Sequence, residues 1–92
     1  MQTKICKVVA QSETIYVQSK KSETGKMAKS IMRLRELGGS YGDEYVCTLL
    51  GPIAEYQFDP GQTILAGLRF LTHESGGVYY QDIIANDIIL LS

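Results

Sequence analysis

The stretch MAKSIMRLREL, Met27 to Leu37, decides between two folds. It is built from good helix formers, and a helix is the competing reading. Its polar and apolar residues nevertheless alternate. Ile31, Arg33 and Arg35 point one way and Met32 and Leu34 the other, which is the two-residue period of a strand. Read in that way, the stretch is a half-buried strand with Met32 and Leu34 inward. Its outer face then carries Lys29, Arg33 and Arg35.

The neighbouring segments favour the strand. Thr3 to Val17 is rich in β-branched residues and breaks at Gln11-Ser12-Glu13, so it reads as one long bent strand or two short ones. Ser19 to Lys26, SKKSETGK, is a polar loop. Gly38 to Asp43 is a glycine-rich loop, and Glu44 to Leu50, EYVCTLL, is a strand. Gly51 to Phe58 is a connector with room for one helical turn, and Asp59-Pro60-Gly61 is a turn by composition. Thr63 to Thr72 and Val78 to Leu91 are the last strand regions. They join through the polar turn His73-Glu74-Ser75-Gly76-Gly77, and Asn86-Asp87 is expected to interrupt the second of them.

About five strands in so short a chain imply an all-β domain. An open sheet of this size leaves unpaired edges, which a small closed barrel removes. The order of elements is a long bent first strand, two more strands, a connector and a closing hairpin. It fits a five-stranded Greek-key OB-fold barrel over residues 1–92.

The 92 residues suffice for one domain. A core this small makes oligomerisation a plausible source of extra stability. No apolar run approaches the roughly 20 residues of a membrane helix, and the start MQTKICKVVAQ has no signal-peptide apolar block. The expected location is therefore the cytoplasm. Cys6 and Cys47 are too few for a disulfide framework and read as buried small hydrophobes. The net charge of −1 hides an asymmetry. Residues 1–35 hold eight bases and two acids, residues 36–92 one base and eight acids, so the halves carry +6 and −7. The split points to a basic face suited to a polyanion, unless folding mixes the charges.

The segment DEYVCTLLGPIAEYQFDPGQTILAGLRFLT, Asp43 to Thr72, resembles the middle of the bacterial single-stranded DNA-binding protein family. The matching residues are Gly51, Ile53, Ala54 and Glu55 in the connector, then Gly61, Ile64, Gly67 and Arg69. The tail QDIIANDIILL resembles the closing strand of that family and of its shorter relative, the primosomal OB protein. The resemblance implies an OB-fold acting on single-stranded DNA in replication, recombination or repair. It also implies a homodimer or homotetramer, with replication proteins as further partners. The chain departs from the family in having no Trp, often the stacking residue there. No acidic tail follows the closing strand, so the tail-borne recruitment of partners is not expected.

Single strands are held by a basic groove that tracks phosphates and by rings that accept unstacked bases. Lys20, Lys21, Lys26, Lys29, Arg33 and Arg35 could supply the charge. Tyr16, Tyr41, Tyr45, Tyr79 and Tyr80 could supply rings, and Arg69 a phosphate contact on the closing hairpin. Of the adjacent Tyr79 and Tyr80, alternation puts one inward and one outward. Phe70 shares a face with Ile64, Ala66 and Leu68 and is expected in the core, while Tyr56 and Phe58 cap one end of the barrel. Catalysis has little support. His73 is a lone histidine in a turn, no second His accompanies either Cys as a metal ligand, and Gly38 to Gly42 lacks the Lys-Ser/Thr of a phosphate loop. No enzyme activity, metal or cofactor is expected. An OB domain used for protein contact, or one that binds RNA, is the alternative.

Overall fold

The computed structural model describes residues 1–20, 23–38 and 42–92. Strands dominate: β1 (Gln2–Gln11), β2 (Ile15–Gln18), β3 (Lys26–Glu36), β4 (Glu44–Leu50), β5 (Thr63–Ser75) and β6 (Val78–Leu90). One helical turn, α1 (Pro52–Glu55), lies between β4 and β5. The all-β expectation holds.

The stretch that decides the fold is a strand from Met27 to Glu36. Ala28, Ser30, Met32 and Leu34 are buried, while Ile31, Arg33 and Arg35 are exposed. Only a two-residue period puts those four inward residues on one face; a helix would turn Ser30 and Met32 to nearly opposite sides. The long first segment is two strands. Both β1 and β2 pair antiparallel with β3, and the chain breaks at Ser12 to Thr14.

The pairings run in a ring. β1 pairs with β3 on one edge and β5 on the other, β3 with β4, β5 with β6, and β4 with β6. The β4–β6 contact is parallel, through Thr48 and Ile84, and the rest are antiparallel. Inside lie Cys6, Val8, Met32, Leu34, Cys47, Leu49, Ile64, Ala66 and Leu68. Burying large apolar side chains is worth about 1.5–3 kcal/mol each, so this small interior carries most of the stability.

One end of the interior is covered by the connector after α1. Gln11 holds it: its Nε2 donates to the Tyr56 carbonyl at 2.9 Å, and its Oε1 accepts from the Phe58 amide at 2.8 Å. Gln11 Nε2 also donates to the hydroxyl of buried Ser30, at 3.2 Å. Phe58 is buried as the expected cap, whereas Tyr56 leans on it from solvent with ring centroids 4.6 Å apart.

The closing hairpin differs from expectation in three ways. The turn is only Gly76-Gly77, both at positive φ (58° and 80°), and Ser75 pairs directly with Val78. Two glycines meet the backbone demand of so tight a turn, so His73 stays in β5 opposite Tyr80. Asn86-Asp87 does not interrupt β6. Asn86 is the extra residue of a bulge opposite Gly67 and Leu68, which lets the strand continue. Finally, both Tyr79 and Tyr80 are exposed, where one was expected inside. The hairpin arms outrun the interior: every residue from Leu71 to Asp82 is exposed, so neither face of the tip has a core to meet.

Candidate nucleic-acid interface

The outer face of β3 carries Lys29, Ile31, Arg33 and Arg35. Register with β4 sets Leu50, Thr48, Val46 and Glu44 beside them in that order. On the other edge, Lys7 faces Arg35 and Ala10 faces Arg33. Two shallow hollows follow this face. One, about 400 Å³, is lined by Ser12, Glu13, Ile15, Lys29, Ser30 and Ile31. The other, about 360 Å³, is lined by Ala10, Gln11, Ser12, Ile31, Arg33 and Val46. Ser12 and Ile31, hydrogen-bonded to each other, line both, so the hollows adjoin as a shallow groove divided at that pair. Its floor is apolar, with Ile15, Ile31 and Val46 all open to solvent. Lys20 and Lys26 come together at a further hollow of about 600 Å³ in the β2–β3 hairpin.

The charge asymmetry is partly cancelled by strand pairing. Glu44 opens β4 directly across from Arg35. Arg33 Nε donates to Glu44 Oε1 at 2.7 Å, and Arg35 Nε and Nη2 donate to Oε2 at 3.0 and 2.6 Å. Bonds from Arg35, then Arg33, hold the Glu44 carboxyl below the usual carboxylate range. Lys4 pairs with Glu36 at 3.4 Å. Among the described residues Lys20, Lys26, Lys29 and Arg69 carry no ion pair.

Arg69 belongs to the same outer surface. Register places Ile31, Thr48, Ile84 and Arg69 in one row across β3, β4, β6 and β5. Followed along the sheet through β4 and β6, Arg69 lies three strand spacings, about 14 Å, from β3. Further along the hairpin the same face presents Leu71 with Asp82, then His73 with Tyr80. The His73 ring stacks on Tyr80 with centroids 5.0 Å apart and planes 15° from parallel, and its Nδ1 lies 3.3 Å from Asp82. Tyr79 points from the opposite face beside Glu74.

Two predicted rings stand elsewhere. Tyr16 pairs with inward-facing Ala28, so it turns away from the face of Lys29. Tyr45 is half-buried at an end of the interior. Its hydroxyl donates to Glu36 at 3.0 Å and its ring meets half-buried Phe70 edge-on at 6.2 Å. The Glu36 hydrogen bond, then burial, raises the Tyr45 phenol above its ordinary range. Lys21 and Tyr41 lie outside the described residues.

Sequence reasoning missed Glu44 as the partner of both arginines, and Ile15 and Val46 as groove lining. The signal available was charge: the basic stretch ending at Arg35 and the strand opening at Glu44 flank one loop, so antiparallel pairing of the two strands brings these residues near one another.

What the residues of this face can do is hold an anion. Both cysteines are buried away from it; burial raises the Cys6 thiol and pushes the Cys47 thiol up to about 12. Among the described residues no three His, Cys, Asp or Glu side chains gather as metal ligands. Nor is any helix there long and apolar enough to cross a membrane. Comparison with known proteins finds no family model and no curated protein that matches the chain.

Proposed function

We propose that the chain is an OB-fold barrel that binds single-stranded DNA with little sequence preference. The strand order supports the fold: β1 and β2 form the bent first strand, β4 meets β6 in parallel, and a helical turn separates β4 from β5. The observation that carries the function is the continuous outer surface. It runs from Lys29, Arg33 and Arg35 on β3 to Arg69 and the exposed ring of Tyr80. Phosphates track the cations across the apolar groove, and a base stacks on the hairpin. The working form is a homodimer or homotetramer in the cytoplasm, serving replication, recombination or repair.

A second reading is a protein-contact module. It is favoured by the pairing of Arg33 and Arg35 with Glu44, which cancels one of their two charges, and by the exposed apolar residues Ile15 and Val46.

The test is fluorescence anisotropy of a labelled oligo-dT of about 30 nucleotides, several OB footprints long, titrated at two salt concentrations. Saturable binding that weakens with salt, and far weaker binding to duplex, is expected. Absence of binding at low salt selects the protein-contact module. Arg69→Glu that leaves affinity and salt slope unchanged removes Arg69 from the site.

A further inference from the structure

The Glu44 carboxylate occupies the two guanidinium forks in the way a phosphate would. Each of its oxygens is claimed by one arginine. Arg33 reaches Oε1 through Nε and Nη2, both at 2.7 Å, and Arg35 reaches Oε2 through Nε and Nη2. A phosphodiester offers the same pair of oxygens to the same planar donors. The three side chains remain reachable from solvent, with Arg33 and Arg35 just over half exposed and Glu44 about a third (52, 54 and 31%). Lys7 faces Arg35 from β1, and uncharged Val46 and Ala10 flank Arg33. No second carboxylate of the described residues pairs with either arginine.

We infer that Glu44 is an internal competitor that sets how tightly this face binds a nucleic-acid backbone. It keeps Arg33 and Arg35 arranged for a two-oxygen anion in the free protein, and a phosphate must displace it. The displaced carboxylate stays on the same strand beside the incoming phosphate, so it opposes binding twice: it holds the donors beforehand and repels the ligand afterwards. Its carboxyl stays ionised well into acid, so the competition persists across the physiological range.

This inference rests on the single-strand reading above. Its test is oligo-dT anisotropy with wild type, Glu44→Gln, and Arg33→Gln and Arg35→Gln in each background. Glu44→Gln keeps the shape, removes the charge, and is expected to tighten binding about fivefold, the effect of one unit charge at close range under the water-like screening of a site this open to solvent. Each arginine substitution is expected to cost more affinity in the Glu44→Gln background than in wild type, because only there are the forks no longer held by a carboxylate. Competition by inorganic phosphate should follow the same order. Wild-type binding left unchanged or weakened by Glu44→Gln overturns the competitor role and leaves the single-strand reading standing. No binding by wild type or Glu44→Gln overturns both.

Discussion

Alternation assigns the two hairpin tyrosines to different tasks. Tyr80 pairs with His73 on the face that carries Arg69 and is continuous with β3, whereas Tyr79 projects from the other face. Tyr79 is the more exposed ring, 79% against 47%. Exposure alone would choose Tyr79; the strand face that carries Arg69 chooses Tyr80. One side of the Tyr80 ring is covered by His73, leaving one side for a base. A stacked base contributes about 1–3 kcal/mol, which at about 1.4 kcal/mol per tenfold predicts a roughly 5- to 140-fold loss of oligo-dT affinity in Tyr80→Ala. Tyr79→Ala should change affinity by less than about threefold, the scale of a surface substitution within ~0.5 kcal/mol. Tyr80→Ala also removes the His73 stack, an aromatic pair worth roughly 0.5–1.5 kcal/mol. His73→Ala removes that stack and keeps the tyrosine, so it separates lost ring from loosened hairpin. Anisotropy and thermal unfolding of the three variants decide the matter. Tyr79→Ala losing as much affinity as Tyr80→Ala refutes the reasoning, because the surface would then not be defined by strand face.

Leu49 is fully buried, and Leu49→Ala should destabilise the fold by about 2–5 kcal/mol in chemical denaturation, with the unfolding slope unchanged. The Tyr45 phenol is raised by its bond to Glu36, so the fold favours the neutral form. That stability is fully present below pH 10, the ordinary value, and is lost as pH rises through the folded-state value. Melting temperature should therefore fall more steeply above pH 10 in wild type than in Tyr45→Phe. Buried Cys6 and Cys47 should react with a thiol reagent only as fast as the fold opens, so denaturant should accelerate labelling in step with unfolding.

The interior was readable because it obeys a local rule. Met32 and Leu34, or Ile64, Ala66 and Leu68, alternate with polar or more exposed neighbours over most of their length, and a single strand's sequence records that. The hairpin was misread by the same rule. Alternation says which residues share a face, not whether a core lies under it. A 13-residue strand spans about 43 Å, more than a small interior can cover. The polarity of His73 to Gly77 suggests a five-residue turn, although two glycines at positive φ suffice. The charge split was legible as a sum, but its effect depends on register. Arg35 and Glu44 lie in the oppositely charged halves of the chain and touch because β3 and β4 pair side by side.

Register therefore bears on how the binding energy divides. Of the described cations assigned to the site, Lys20, Lys26, Lys29 and Arg69 lack an acidic partner, while Arg33 and Arg35 share Glu44. Each phosphate neutralised on a single strand contributes about −0.7 to the slope of log affinity against log salt. If only the four unpaired cations engage, the wild-type slope should be about −2.8; with both arginines recruited it approaches about −4.2. Glu44→Gln should move the slope from the first value toward the second while Tyr80→Ala leaves it unchanged, because a ring exchanges no counterions. A wild-type slope already at about −4 would mean that phosphate displaces Glu44 without hindrance. A slope near zero would mean that stacking alone holds the strand, and the cationic face of β3 would then have to serve something else.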